Sequence, residues 1–64
     1  MKEVYIVRCG DGYFVGFTKS LIPITTSDPE LAIRFVRGGG ANVVARIKEE
    51  LGLEAEEIGY IVTE

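Results

Sequence analysis

The chain has no histidine, no glutamine, a single cysteine and a single asparagine among its 64 residues. Without histidine it lacks the commonest nitrogen ligand for zinc and the usual partner of a serine or cysteine nucleophile. Cys9 alone cannot form an intramolecular disulfide. A domain this short buries only about 60% of the surface that its unfolded chain exposes, so its core needs a supplement. With a disulfide and a histidine-based metal site excluded, self-association or very efficient packing is what remains. No stretch approaches the roughly 18–20 apolar residues of a membrane span, and Met1-Lys2-Glu3 leads into alternating residues rather than a signal-peptide core. The expectation is a cytoplasmic protein that does not contact membranes. The scarcity of labile side chains, with Glu, Lys and Arg supplying most of the polar surface, follows a tendency of thermophile proteins.

What is present is ordinary in amount and uneven in placement. The chain is 47% hydrophobic and 27% charged, with a net charge of −3. Six cations and four anions fall within residues 1–46, whereas residues 47–64 hold one cation, Lys48, against six glutamates. An acidic chain with no basic run lacks the electrostatic footprint of a general nucleic-acid binder. The acidic C-terminal part reads as a solvated face.

The patterning specifies one small α+β domain over residues 1–64. Val4-Tyr5-Ile6-Val7 and Tyr13-Phe14-Val15-Gly16-Phe17 are β-branched and aromatic, and Cys9-Gly10-Asp11-Gly12 between them carries the Asp-Gly signal of a hairpin. Alternation on the second strand makes Tyr13, Val15 and Phe17 the core set, with Phe14 and Gly16 on the other face. The first strand is apolar on both faces, as in a central strand or one partly covered on its second face. Leu21-Ile22-Pro23-Ile24 is apolar, but its proline confines it to a loop or an edge. Ser27 or Asp28 as N-cap, Pro29 in the first helical position and Glu30 in the first turn start a short helix. On that helix Leu31 and Phe35 would share the buried side, although Ile33-Arg34-Phe35-Val36 reads equally as a brief strand. Val43, Val44, Ile47 and Leu51 form the apolar stripe of a second helix from about Gly40 or Ala41 to Leu51, stopped at Gly52. Ile58, Tyr60 and Val62 lie on one side of a last strand. The order is therefore strand, strand, short helix or strand, helix, strand. The simplest architecture is a three- to four-stranded antiparallel or mixed sheet with one main helix on one face.

Gly12-Tyr13-Phe14-Val15-Gly16-Phe17, Thr26-Ser27-Asp28-Pro29-Glu30-Leu31-Ala32-Ile33-Arg34-Phe35 and the helix end Glu50-Leu51-Gly52-Leu53 resemble the small proteins carried by phages and prophages. There, an aromatic strand is followed by a Thr/Asp-capped turn containing an alanine, an aromatic residue and a second helix. The resemblance implies an accessory interaction protein and brings no catalytic residue. The chain departs from that pattern at Arg37-Gly38-Gly39-Gly40, which replaces a polar Asp-Ser cap.

Two candidate sites follow. Gly38, Gly39, Gly40 and Ala41 at a helix start can turn backbone N–H groups toward an anion, with Arg34, Arg37 or Arg46 adding charge. No Walker lysine follows them, and the spacing is not that of a dinucleotide fingerprint. The bland alternative is a flexible link that reverses the chain. Tyr5, Phe14 and Tyr60 on an open sheet face, with Leu21, Ile22 and Ile24 along an exposed edge, form a candidate interface. The three aromatics could also stack bases, but no RNP-like sequence accompanies them. Cys9 reads as a small residue beside a turn, Asp11 as a turn residue and Asp28 as a cap. The expectation is a non-enzymatic interaction or accessory module without metal or cofactor, forming a homodimer or binding another protein. The alternative is a regulator that binds phosphate or nucleic acid through the glycine loop.

Overall fold

Residues 2–63 are described by the structure, a computed structural model; Met1 and Glu64, the ends of the expected domain, lie outside the described residues. Strands β1 (Lys2–Cys9), β2 (Gly12–Phe17), β3 (Pro23–Thr26) and β4 (Ala55–Val62) form one antiparallel sheet in the order β3-β2-β1-β4. A 3-10 turn (Pro29–Leu31) and helix α1 (Ala41–Leu51) lie between β3 and β4. This is the α+β architecture that the patterning implies, with four strands and antiparallel pairing throughout. β1 is central, which explains its apolar residues on both faces.

The first hairpin turns one residue earlier than the Asp-Gly signal suggests. Cys9 pairs with Gly12, so Gly10 and Asp11 make the turn, and the positive φ (57°) falls on Gly10. A two-residue turn with glycine first belongs to the kind whose twist matches that of the strands.

The core face of β2 is the reverse of the expected one. Phe14, only 2% exposed, packs with Val7, Cys9, Ala55 and Ile47 beneath the helix, joined by Phe35, Val43 and Val44. Tyr13 pairs with Thr26 and Phe14 with Thr25, but Gly16 pairs with Ile24, so the ladder carries a bulge at Val15 and Gly16. An extra residue in one strand resets its alternation. Phe17 thereby returns to the side of Phe14, and their rings meet edge to face with centroids 4.9 Å apart. Tyr13 and Val15 are half-buried.

Val4, Ile6 and Val62 project to the opposite face and are also buried, as is Ala32. The 3-10 turn lies on this side, where the hydroxyl of Tyr60, directly opposite Val4, donates to Glu30 at 2.7 Å. Asp28 caps that turn by accepting the Glu30 N–H at 2.9 Å. The turn does not extend into a helix that buries Leu31 and Phe35 together. Leu31 is 66% exposed, and Phe35 bridges to Tyr5 through N–H···O bonds of 2.7 and 3.1 Å. Ile33 meanwhile donates its N–H to the carbonyl of Phe14. β1 and β2 pair only beside their turn, and segment 33–35 occupies the opening between them. It carries the chain from the face of the 3-10 turn to the face of the helix, where Phe35 stacks on Phe14 at 6.4 Å.

Helix α1 buries Ile47 fully and Val43 and Val44 in part, while Leu51 remains 37% exposed at its end. Gly52, with φ 64°, terminates it and donates to the carbonyl of Lys48.

The buried Cys9 gives the fold a pH signature. Burial pushes its thiol above the ordinary range by penalising the thiolate. Above about pH 8.5 the unfolded chain releases this proton while the folded chain keeps it, so stability falls as pH rises. Denaturant midpoints of the native chain should therefore drop more steeply between pH 7.5 and 9.5 than those of Cys9→Ala. Equal slopes would mean an accessible thiol.

Candidate functional sites

The glycine loop is built around a carboxylate of the same chain. Glu57 on β4 lies opposite Val7 and projects to the helix face. Its Oε2 accepts the Gly38 N–H and its Oε1 the Gly40 N–H, both at 2.8 Å. The intervening Gly39 N–H goes to the carbonyl of Val36 at 2.8 Å, and that of Ala41 goes to Gly38 at 3.4 Å. All four N–H groups of the candidate anion site thus have an acceptor within the chain. An external phosphate or carboxylate at this loop must displace Glu57.

All three glycines are constrained, for different reasons, and a Cβ at Gly39 would lie 3.0 Å from the carbonyl oxygen of Val36. Gly38 has φ 81°, a conformation that side chains resist. Gly40 is buried, and a Cβ there would lie 2.8 Å from Cγ2 of Val7 and 3.0 Å from Oε1 of Glu57. The loop is consequently held against the sheet rather than acting as a free link. Of the arginines, Arg34 pairs with Glu30 at 3.6 Å, on the segment leading to the loop. Arg37 immediately precedes Gly38 and is exposed. Arg46 lines a different groove, near the β2–β3 connection, and pairs with Glu50 at 3.8 Å.

The six candidate interface residues do not share one surface. Phe14 lies in the core, and Tyr5 and Tyr60 occupy opposite faces of the sheet. Each tyrosine donates its hydroxyl to a glutamate, Tyr5 to Glu3 at 3.1 Å and Tyr60 to Glu30 at 2.7 Å. These bonds, made by the neutral phenol, raise both hydroxyls above the ordinary tyrosine range. Base stacking on a platform of Tyr5, Phe14 and Tyr60 is ruled out by this arrangement.

Leu21, Ile22 and Ile24 are exposed, and the first of them is unusual. Thr18 accepts the Leu21 N–H at its carbonyl and donates its own N–H to the Ile22 carbonyl, both at 2.9 Å. Its Oγ1 also accepts from the N–H groups of Ser20 and Ile22. This is a three-residue hairpin connection, whose last position takes the left-handed conformation and normally carries glycine. Here that position is Leu21, with φ 63° and 52% exposure. Nothing in Thr18-Lys19-Ser20-Leu21 marks a turn with such a requirement, so sequence reasoning missed it. Leu21 and Phe17 face Asn42, Val43 and Arg46 of α1 across a largely apolar groove of about 270 Å³.

Glu57 was also missed, because it lies in an acidic stretch that reads as solvated. The available signal was its strand parity with Ala55, which puts it on the buried side. Among the described residues there is no group of three or more His, Cys, Asp or Glu side chains able to hold a metal ion, and no helix is long and apolar enough to cross a membrane.

Replacing Glu57 by alanine removes the acceptor of two backbone N–H groups, one of them partly buried, and should destabilise the fold by about 1–3 kcal/mol. Gly40→Ala should cost a similar amount by forcing a methyl group onto Val7. Urea denaturation of both variants measures this, and a near-native Glu57→Ala would mean that the carboxylate does not hold the loop.

Comparison with known proteins adds no relative: no family model, curated protein or solved structure matches this chain.

Proposed function

We propose that this chain is a small non-enzymatic protein-interaction module that presents the β2–β3 connection to a partner. The observation that carries this reading is Leu21, a bulky apolar residue held in left-handed backbone conformation and facing solvent. That conformation costs a non-glycine residue roughly 1–2 kcal/mol, and such strain concentrates at functional positions. Burial does not account for it, since the side chain is half exposed. Phe17 lines the same groove and is itself exposed, whereas Ile24, which follows the Pro23 that pairs with Phe17, projects to the other face of the sheet.

The flanking charge suggests the partner's chemistry. Lys19 lies in the turn itself and Arg46, which also pairs with Glu50, borders the groove, while none of the described residues that line the groove is acidic. An amphipathic segment with an apolar face and an adjacent carboxylate fits this surface, its apolar side chains supplying affinity and its charge the orientation. No observation favours a phosphate-binding regulator, because the N–H groups that would serve it already bind Glu57.

The test is selection of binders from a displayed library of helical peptides against the native chain. Enriched peptides should carry apolar residues next to Asp or Glu and should shift the amides of Phe17, Leu21 and Val43. They should lose at least tenfold in affinity for Leu21→Gly, while that variant remains as stable as the native chain or gains up to about 1 kcal/mol. Binders that retain affinity for Leu21→Gly and shift other amides would overturn the proposal.

A further inference from the structure

The two edges of the sheet are protected unequally. β3 has four residues, begins with Pro23 and follows the tightly bonded Thr18–Ile22 connection. β4 has eight, Ala-Glu-Glu-Ile-Gly-Tyr-Ile-Val, with neither proline nor lysine among them. Proline, lysine and shortness are the usual means of preventing a sheet edge from pairing with another chain. No loop or helix backbone group among the described residues bonds to the outer side of β4.

Which β4 groups face outward follows from the ladder. In an antiparallel strand the N–H and C=O of one residue point to the same side, and successive residues alternate. Tyr5 exchanges both of its backbone bonds with Phe35, on the side of β1 away from β4. Gly59, directly opposite Tyr5, therefore points its own N–H and C=O away from β1. By alternation Ala55, Glu57 and Ile61 do the same, while Glu56, Ile58, Tyr60 and Val62 bond to β1. The bond from Gly10 N–H to the Glu54 carbonyl obeys the same parity.

We propose that β4 is a self-pairing edge, which joins two copies of this chain antiparallel about a two-fold axis at Gly59. In this register Gly59 exchanges both backbone bonds with Gly59 of the second copy, and Glu57 pairs with Ile61 at each end. Ile58 faces Tyr60, and Glu56 faces Val62. No acidic residue of β4 opposes another, and every outward group from Glu57 to Ile61 gains a partner; the carboxylate over Gly59 is that of Glu3 on β1, which accepts from the Tyr5 hydroxyl. A two-fold at Glu57 instead would oppose two carboxylates. Glu57 also accepts the N–H groups of Gly38 and Gly40, and its carboxylate stays on the helix face, where Ile61 of the second copy would lie beside it. The result is a continuous eight-stranded sheet, whose joint carries Ile58 and Tyr60 of both copies on one face. This supplies the supplement that a chain of 64 residues with one cysteine needs. It uses a surface separate from the β2–β3 connection.

Sedimentation equilibrium from micromolar to millimolar concentration tests the proposal. The native chain should form a dimer. Ile61→Glu, which sets a carboxylate between Glu3 of its own chain and Glu57 of the other copy, should weaken it at least tenfold and give a monomer with a native circular dichroism spectrum, whereas Ile61→Lys should retain the dimer. Gly59→Pro should give a monomer with a native circular dichroism spectrum, because the donor it removes faces outward and not into the β1 ladder. A native chain that stays monomeric at millimolar concentration would overturn the proposal. So would a dimer indifferent to Ile61→Glu; if Leu21→Asp dissociates that dimer, the β2–β3 connection is the joint.

Discussion

The close approach of Gly40 to Val7, sealed by Glu57, is the contact on which the rest of the fold depends. The chain must leave segment 33–35, turn over the sheet and start a helix that lies directly on β1 and β4. Only a residue without a side chain can pass Val7 at this distance, and the N–H groups exposed by the turn need an acceptor. Glu57 supplies it from the strand below, so one carboxylate sets both the height of the loop and the start of α1. The helix then delivers Ile47 to a core formed by Val7, Cys9, Phe14 and Ala55. A triple glycine that looks like an anion site is thus arranged around an anion of its own chain.

The opening between β1 and β2 has a comparable effect on the other half of the molecule. A fully paired hairpin would leave no route from the 3-10 turn to the helix except around an edge of the sheet. Because the strands separate beyond Arg8 and Tyr13, Phe35 enters the ladder beside Tyr5, and its ring reaches Phe14. Both backbone groups of Tyr5 and the carbonyl of Phe14, which the separation leaves without a partner in the hairpin, are met by Phe35 and Ile33. Both faces of a thin sheet are covered by one short connection, which suits a chain with too few residues for two layers of helices.

Local chemistry made much of this legible from the sequence. The extent of α1, its stop at Gly52, the Asp28 cap with Pro29, the edge position of Pro23 and the central position of β1 all follow from side chains acting on their own backbone or from strand periodicity. The misread parts depend on partners distant in sequence. Phe14 and Phe17 share a face only because the β2–β3 ladder carries a bulge at Val15 and Gly16, and period-two alternation contains no sign of it. The isolated bridge of Phe35 needs β1 and β2 to have separated first. Glu57 resembles its acidic neighbours until the sheet places it under the glycine loop. Leu21 is the reverse case, where the local rule asks for glycine and the sequence declines it.

The pairing of β1 with β4 also constrains how the chain is made. β1, β2 and β3 follow one another closely, but β1 and β2 pair only at Arg8–Tyr13 and Cys9–Gly12, so most of β1 depends on later parts of the chain. The β1 edge and the apolar faces around Val7 and Phe14 stay open until α1 and β4 emerge, since β4 comes late and lies along all of β1 from Lys2/Val62 to Cys9/Ala55. A chain that lacks β4 therefore leaves its central strand unpaired along one whole edge. That one strand closes the ladder, provides the floor for the helix and brings Glu57 to the glycines, so the three are present or absent together.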